Sequence, residues 1–272
     1  MQITAHTPTV LGVSPIVTPL NDVRINNRLN SAYWRVNVVQ NTGSTQDDLV
    51  RSINEGSAKS GEVLIAEFQS AGRGRLQRQF IAPPGAALLF SAYVIPRSSS
   101  GSWGWLPLLA SQAVHRSLES QIGAGARLSL KWPNDLLLND LKIAGLLCER
   151  VDSAQGAGLV IGVGINVTTS KEQLPIATAS SLELEGYSNL DREGLVVSIL
   201  QNLTTYLKRW ESADDTLVAE YLEFSSTIGK LVRVEMPTGV IHESKAVGIA
   251  NTGSLILENG SVISAGDVVH LR

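Results

Sequence analysis

A short run of glycines and arginines carries the clearest chemical signal in this chain of 272 residues. Gly72-Arg73-Gly74-Arg75 is followed closely by Arg78, and neither Asp nor Glu occurs between Glu67 and Glu119, although the chain has a net charge of −3. Glycine lets the backbone approach a ligand closely, and arginine offers a planar, permanently charged group to phosphate or carboxylate. The run therefore predicts a loop that binds an anion, although such a run by itself is also typical of an ordinary surface loop.

A second polar cluster accompanies this loop. Lys131-Trp132-Pro133-Asn134-Asp135 is followed by Lys142-Ile143-Ala144-Gly145, and both segments lie among strongly apolar residues. In a purely structural interpretation, Asn134 and Asp135 form a turn after Pro133 and the lysines extend to solvent. In a functional interpretation, an arginine loop, a lysine at a strand end and a carboxylate that could hold Mg²⁺ indicate chemistry at a phosphate.

Composition and motifs exclude several classes of protein. The pI near 5.8 argues against general nucleic-acid binding, and no run of about 18 apolar residues exists that could span a membrane. The single cysteine, Cys148, rules out an intramolecular disulfide, and we interpret it as a small buried hydrophobe in a cytoplasmic protein without a signal peptide. Walker, G-x-S-x-G and H-E-x-x-H motifs do not occur, and the four histidines are too scattered to form a metal site.

Periodicity predicts both helices and strands along the chain. Ser44 or Thr45 is expected to begin a helix, with Asp47 or Asp48 three residues on completing a capping box. Residues 1–30 are expected to form an arm or a short helix. Further helices are predicted over Leu106–Gln121, from Asp191 to Trp210 and over Asp214–Leu222. Strands are predicted over Trp34–Val39, Glu62–Phe68, Ala86–Ile95, Leu128–Trp132 with a continuation at Leu136–Leu138, Lys142–Glu149 and Gly158–Val167, with a hairpin turn at Asn139-Asp140.

The pattern changes after Phe224. Five short strands separated by turn signals follow in fewer than fifty residues, which predicts a small closed barrel. We therefore predict a core at residues 1–225, including the arm, and a C-terminal unit at residues 226–272.

In order and spacing, the motifs resemble those of biotin protein ligases from about Thr42 to the C-terminus. The segments that carry the resemblance are Gly72–Arg75, Lys131–Asp135, Lys142–Leu147 with Glu149, and Gly162–Asn166. The resemblance implies an α+β fold, with a mixed-sheet catalytic core and a C-terminal SH3-like barrel. It also implies a two-step reaction in which biotin and ATP form biotinyl-AMP and the biotinyl group then passes to a lysine of a carrier protein.

The resemblance also assigns roles to individual residues. Lys142 and Arg75 are the implied catalytic residues, and Asp135 is the implied carboxylate beside Mg²⁺. The implied biotin-binding residues are Ser44, Thr45, Gln46, Gln69, Arg73, Gly74, Arg75, Lys142 and Gly145. The implied nucleotide-binding residues are Gly72, Arg73, Arg75, Arg78, Phe80, Lys131, Asn134 and Asn166.

Three residues depart from the family pattern. Gln46 stands where the family usually has Asn, while Gln77 and Phe80 replace a Gly and a Trp that usually continue the arginine loop. These changes bear on loop ordering and on stacking against adenine. The unliganded loop is expected to be mobile because its like charges repel, and the residues before the core are expected to be too few for the DNA-binding domain of some family members.

Two alternatives remain open from the sequence. A lipoate–protein ligase shares this general core and reaction, and a non-catalytic biotin-sensing regulator would share the binding site without the chemistry. The expected partners are biotin, ATP and the biotin carboxyl carrier domain of an acyl-CoA carboxylase, with no nucleic acid and no membrane. The protein is expected to be a monomer or a weak homodimer.

Overall fold

A computed structural model of the chain describes residues 18–97 and 100–271. Two sheets organise it, one of seven strands and one of five. The helices are α1 (Asp22–Leu29), α2 (Thr45–Asn54), α3 (Leu106–Ile122), α4 (Arg192–Glu211) and α5 (Thr216–Phe224). The strands are β1 (Arg35–Thr42), β2 (Glu62–Gln69), β3 (Ala87–Val94), β4 (Leu128–Lys131), β5 (Asp135–Leu138), β6 (Leu141–Ser153), β7 (Gly156–Asn166), β8 (Leu231–Glu235), β9 (Ile241–Ile249), β10 (Leu255–Leu257), β11 (Val262–Ile263) and β12 (Asp267–His270). Short 3₁₀ helices cover Arg75–Gln77, Ser100–Trp105 and Lys171–Gln173.

The larger sheet has the strand order β1-β2-β3-β7-β6-β5-β4 and is mixed, as predicted. β1 and β2 are parallel because α2 crosses between them, and the remaining neighbours are antiparallel. All eight residues of β3 are buried, as expected for a central strand covered on both faces. Helices α3 and α4 cover one face of this sheet, and α2 covers part of the other.

Strand register brings the glycines of β6 and β7 together on the face that α2 partly covers. Gly145 lies opposite Gly164, and Asp135 lies opposite Gly145. Ser91 of β3 lies opposite Gly162 in the same way. Directly opposite residues in antiparallel strands share a face, so this part of the sheet lacks bulky side chains and can form a depression.

The chain reverses at Pro133, so the prediction that the strand resumes at Leu136–Leu138 was wrong. β4 and β5 pair antiparallel, with Leu128 opposite Leu138, and Trp132-Pro133-Asn134 forms the turn between them. Proline has no N–H for a strand ladder, and the Asn134 N–H donates back to the Lys131 carbonyl at 3.1 Å. The second hairpin is confirmed, because Asn139 and Asp140 both have positive φ, at 51° and 65°, as a tight two-residue turn requires.

Residues 18–30 pack against the core. α1 buries Ile25 completely and contacts α4. Nearby, Glu67 of β2 accepts from the Leu20 N–H at 2.6 Å and forms a buried ion pair with Arg192 at 2.9 Å. Residues 22–29 thus form the short helix that the sequence allowed, and the rest of the predicted arm, residues 1–17, lies outside the described residues.

The C-terminal unit is a five-stranded antiparallel sheet in the order β11-β10-β9-β8-β12. The predicted five short strands are therefore confirmed. Trp132, 2 % exposed, joins this sheet to the core, since its indole Nε1 donates to the Gly253 carbonyl at 3.0 Å and its backbone N–H donates to Thr227 Oγ1 at 3.1 Å. None of the helices within residues 18–97 and 100–271 combines the length and hydrophobicity needed to cross a membrane.

Candidate active site

A cavity of about 780 Å³ opens over the glycine-lined face of the larger sheet. The structure brings to it all the predicted site residues except Gly72 and Lys131. The predicted residues that line it are Ser44, Thr45, Gln46, Gln69, Arg73, Gly74, Arg75, Arg78, Phe80, Asn134, Asp135, Lys142, Gly145 and Asn166. One end of the cavity is polar and uncharged, and the other is cationic.

The uncharged end is a buried hydrogen-bond network at the start of α2. The Thr45 N–H donates to Gln69 Oε1 at 2.6 Å, and Thr45 Oγ1 lies 2.9 Å from Ser91 Oγ. Ser91 Oγ donates to Gln46 Oε1 at 3.2 Å, and Gln46 Nε2 donates to the Val160 carbonyl at 3.2 Å. The longer side chain of Gln46 fits because Gly162 faces it: a Cβ there would lie 2.7 Å from Gln46 Oε1.

This network decides which groups remain for a ligand. Since Ser91 donates to Gln46, the Thr45 hydroxyl must be the donor to Ser91, and its lone pairs stay available. Ser44 Oγ accepts from the Asp47 N–H at 3.3 Å and keeps its own proton. Gln69 uses its oxygen on Thr45, and no acceptor within the described residues meets its Nε2. The cavity end therefore presents two donors and one acceptor.

Ser44 caps α2 as predicted, but the capping box does not form. The Asp48 carboxylate binds the Thr42 hydroxyl and pairs with Arg51 at 3.0 Å, and the Asp47 carboxylate pairs with Arg73. Both side chains have stronger partners, a hydroxyl or a cation, than the backbone N–H of Ser44.

The arginine loop is a narrow hairpin. The Gly74 N–H donates to the Arg78 carbonyl at 2.7 Å, and the Phe80 N–H donates to the Gly72 carbonyl at 2.9 Å. A Cβ on Gly72 would collide with the Phe80 carbonyl, so this glycine allows the two legs of the loop to meet and does not line the cavity. The Phe80 ring packs against the sheet where Gly164 makes room, since a Cβ at Gly164 would lie 2.8 Å from the ring.

Two of the three loop arginines have carboxylate partners. Arg73 pairs with Asp47 and lies 3.3 Å from Glu149, while Arg78 makes two hydrogen bonds to Asp267 of β12, one of them 3.2 Å long. The bond between Arg78 and Asp267 raises the pKa of Arg78 and lowers that of Asp267. These pairs offset the like-charge repulsion from which a mobile loop was expected.

Arg75 is the loop arginine with no carboxylate at ion-pair distance among the described residues. Its Nη1 donates to Asn134 Oδ1 at 3.0 Å and to the Gly266 carbonyl at 3.4 Å. Burial lowers the pKa of Arg75, with Asp135 and Asp267 partly compensating. A partly buried cation whose hydrogen-bond partners are neutral is well suited to receive a ligand anion.

Lys142 enters the cationic end from the start of β6. Its Nζ lies 2.6 Å from Asp135 Oδ1, at ion-pair distance but without hydrogen-bond geometry. Gly145 makes room for it, because a Cβ there would lie 3.3 Å from Lys142 Nζ. Lys131 stands behind the cavity wall, where burial lowers its pKa despite the nearby charges of Asp135 and Asp267.

Comparison with known proteins identifies the family. Residues 38–166 match the biotin/lipoate A/B protein ligase family, and residues 227–271 match the biotin protein ligase C-terminal domain. A biotin--[acetyl-CoA-carboxylase] ligase of Mycobacterium tuberculosis H37Rv is 38% identical over 93% of this chain and 97% of its own length. The chain belongs to the biotin protein ligase family. It is therefore an enzyme, a ligase.

Other relatives of this ligase agree in sequence and fold. The bifunctional ligase/repressor BirA of Escherichia coli K12 is 31% identical over 80% of this chain and 68% of its own length. A structure of the biotin protein ligase from Aquifex aeolicus in complex with biotin and ATP superposes with a TM-score of 0.72 at 25% identity, covering 87% of this chain and 98% of that one. The α+β class with a C-terminal β domain is thus that of the family.

Among the cavity residues that sequence reasoning missed, Ser91 and Asp267 matter most for the hydrogen-bond and charge pattern. Ser91 is completely buried and lines the uncharged end, and a lone polar residue in the apolar run Ala87–Val94 was a signal that could have revealed it. Asp267 lines the cationic end, and nothing near it in sequence connects it to Arg78, 189 positions away. Cys148, expected to be buried, is only half-buried as a residue. Burial of its thiol raises the thiol pKa to about 12, which disfavours the nucleophilic thiolate.

Proposed function

We propose that this ligase converts biotin and ATP to biotinyl-5′-AMP and then transfers the biotinyl group to a lysine of the biotin carboxyl carrier domain of an acyl-CoA carboxylase. The observation that carries the proposal is the hydrogen-bond pattern at the uncharged end of the cavity, opposite a cationic end. An acid with a polar, uncharged head and a carboxylate tail matches both ends at once.

A cyclic urea such as the head of biotin complements the groups left free there. Its carbonyl oxygen accepts hydrogen bonds, which suits the Ser44 hydroxyl and Gln69 Nε2, and its N–H groups donate, which suits Thr45 Oγ1. The dithiolane ring of lipoate has neither group, so it would leave these buried polar atoms unpaired at a cost of about 1–3 kcal/mol each. The site therefore favours biotin over lipoate.

The cationic end supports the first step. One oxygen of the biotin carboxylate attacks the α-phosphorus of ATP, a P–O bond forms, and the bond to pyrophosphate breaks with its electron pair on the leaving group. Lys142 pairs with Asp135 and Arg75 donates to the adjacent Asn134, so both cations can face the negative charge that accumulates at the phosphorus. Catalysis of this kind is mostly positioning and electrostatic stabilisation.

The nucleotide would lie along the wall shared by the arginine loop and the sheet. Asn134 Nδ2 donates to the Leu146 carbonyl at 2.8 Å and Asn166 Nδ2 donates to the Ser180 carbonyl at 3.0 Å, so both amides are held in place. We assign Arg78, Phe80 and these two amides to the nucleotide. Gly72 and Lys131 do not line the cavity. Gly72 would shape the arginine loop, and Lys131 would add positive charge near the site.

Mg²⁺ enters the proposal only together with the nucleotide. Within the described ranges no three His, Cys, Asp or Glu side chains come together as a metal site. Asp135 lines the cavity and its Oδ1 accepts no hydrogen bond from the described residues, so this carboxylate would fit as one ligand of an ion that phosphate oxygens also hold. Such an ion would neutralise charge on the departing pyrophosphate.

In the second step, an uncharged lysine amine attacks the acyl carbon of the mixed anhydride. The C–N bond forms, the C–O bond to phosphate breaks, AMP leaves, and the proton of the amine passes to solvent. Lys142 and Arg75 would stabilise the oxygen charge that develops at the acyl carbon and on AMP.

Titration calorimetry and a product assay test the proposal together. Biotin should bind alone and far more tightly with ATP present, lipoate should not compete, and pyrophosphate release should depend on biotin. Incubation with a carrier domain should label one lysine, and a lysine-to-arginine carrier should stay unlabelled. Biotin binding without pyrophosphate release would favour a sensor, and competition by lipoate would favour the lipoate enzyme.

A further inference from the structure

Three half-exposed apolar side chains surround the mouth of the cavity. Leu76, Ile81 and Ile176 are 46 %, 55 % and 51 % exposed, and all three border the opening. The first two flank the outer part of the arginine loop, and the third lies in the loop that follows β7. We call these three residues the apolar lip.

Leu76 of the apolar lip has an unfavourable backbone conformation that packing does not explain. Its backbone has φ 53° and ψ 43°, the left-handed region that glycine and asparagine adopt far more readily than leucine. Its side chain is also nearly half exposed, so burial does not compensate for this conformation. A strained residue that leaves an apolar group in solvent points to a functional contact.

We propose that the apolar lip docks the folded domain that presents the acceptor lysine. This inference rests on the proposed function. The acceptor amine must reach the acyl carbon near Lys142 and Arg75 inside the cavity, so the domain around that lysine must touch the rim of the opening. The inner cavity already supplies polar and charged partners for the small substrates.

The size of the apolar lip matches an enzyme–substrate encounter. Stable dimers generally bury more than about 1,200 Å² in total, whereas transient encounters bury less. Three half-exposed side chains can anchor a transient partner and are too few for a stable dimer interface. A few residues near the centre of a contact carry most of its binding energy, so the loss of central anchors should weaken docking measurably.

The test uses variants that remove the apolar groups while sparing the backbone. Leu76→Asn keeps a residue that tolerates the left-handed conformation, and Ile81→Ser with Ile176→Ser removes the other two groups. Val23→Ser on α1 and Val262→Ser on β11 are the controls, because these valines are at least as exposed, at 62 % and 58 %, but do not line the cavity. Thermal unfolding of each variant checks the fold.

Each assay isolates one step. Pyrophosphate release in the absence of carrier reports formation of the intermediate, and transfer from the preformed intermediate is measured to the carrier domain and to a small primary amine. We expect the Ile81→Ser/Ile176→Ser variant to raise KM for the carrier about tenfold, and Leu76→Asn several-fold, with kcat at saturating carrier within about twofold. Pyrophosphate release and small-amine transfer should stay within about twofold, and the controls should match wild type on every assay.

Four results would overturn the proposal. These are an unchanged KM for the carrier, an equal loss of transfer to carrier and to small amine, a raised KM for ATP with transfer unaffected, or loss of a wild-type self-association without any effect on the carrier. The third would assign the apolar lip to the adenine ring and the fourth to a second copy of the chain. Absence of biotin-dependent pyrophosphate release in wild type would instead reject the proposed function, so the two failures are distinguishable.

Discussion

At the scale of single residues, the two ends of the cavity suit different parts of a substrate: one suits a polar, uncharged group and the other an anionic group. The uncharged end selects by hydrogen bonds that are already fixed among Thr45, Gln46, Gln69 and Ser91. At the cationic end, Lys142 and Arg75 can exchange their present partners, Asp135 and Asn134, for the anionic groups of a substrate. Specificity and catalysis should therefore respond separately to substitution.

Replacing Lys142 with Gln should abolish most adenylate formation. Lys142 faces Asp135 and would otherwise neutralise the attacking carboxylate and the phosphate, so we expect pyrophosphate release to fall by about 10²–10³-fold with little change in thermal stability. Lys59→Gln, at an exposed lysine outside the cavity, is the matched control. Near-normal pyrophosphate release from the Lys142 variant would remove this residue from the reaction.

Replacing Ser91 with Ala should weaken biotin binding without touching the cationic end. The change leaves Gln46 Oε1 and the Thr45 hydroxyl without their shared partner, and it should cost about 1–2 kcal/mol, or about 5–30-fold in Kd. Ser117→Ala removes an equally buried hydroxyl that donates to the Ala113 carbonyl, so it controls for general loss of stability. Calorimetry with biotin checks the prediction, and equal Kd values for both variants would contradict it.

At the scale of elements, the arginine loop is fastened on both legs to elements that are distant in sequence. Arg73 reaches α2 and β6 through Asp47 and Glu149, and Arg78 reaches β12 through Asp267. Closing the loop over a reactive mixed anhydride excludes water, so these pairs should influence how long the intermediate is retained.

Replacing Asp267 with Asn should shorten the lifetime of the bound intermediate. An exposed pair is worth only about 0.2–1 kcal/mol, so we expect dissociation to rise by about two- to fivefold and global stability to change little. Glu243→Gln breaks the Arg233 pair on the same sheet, 3.2 Å long and away from the cavity, and should have no such effect. Release of labelled intermediate measures the lifetime. A double-mutant cycle with Arg78→Gln that shows no coupling would refute the contact.

The elements themselves were largely predictable, and the failures have physical causes. Helices α3 and α4 follow apolar residues at helical spacing, as predicted, and the glycines at 162 and 164 leave room for a close approach. The approaching groups, however, are Gln46 and Phe80 from distant segments. Pro133 was known to break a strand, but whether the chain then resumes or reverses depends on pairing with neighbouring strands, which local sequence does not encode.

At the scale of the whole molecule, the two sheets meet where the site is built. Trp132 in the β4–β5 turn binds Gly253 and Thr227, and Asp267 and Gly266 reach the arginine loop. The family resemblance in the sequence predicted many of the cavity residues and, together with the strand pattern, a C-terminal unit. It could not predict that this unit supplies a wall of the cavity, because contacts across about 190 residues leave no periodic or spacing signal.

The contact between the sheets should make stability depend on pH through His270. Its Nε2 lies 3.2 Å from Thr227 Oγ1, which also accepts from the Trp132 N–H. Burial, and then the positive charges of Lys131 and Lys230, lower the pKa of His270 to about 4. Burial also lowers the pKa of His115 in α3.

Histidine in the unfolded chain has a pKa of about 6.5. Between about pH 6.5 and 4, His270 therefore binds a proton in the unfolded chain but stays neutral in the folded chain, and the lowered pKa of His115 acts in the same direction. The stability contributed by the neutral histidines is therefore complete above pH 6.5 and is lost as the pH falls through this window. Carboxyl groups with a lowered pKa, such as Asp267, act at lower pH, since their contribution to stability is lost only as the pH falls below their ordinary pKa near 4.

Urea unfolding midpoints at pH 7.5, 6, 5 and 4.5 should fall steadily for wild type. His270→Gln keeps a polar side chain that does not titrate, so its midpoint should fall less steeply, and its value at pH 7.5 reports the packing loss alone. Parallel curves for the two proteins would show that His270 does not titrate between the sheets.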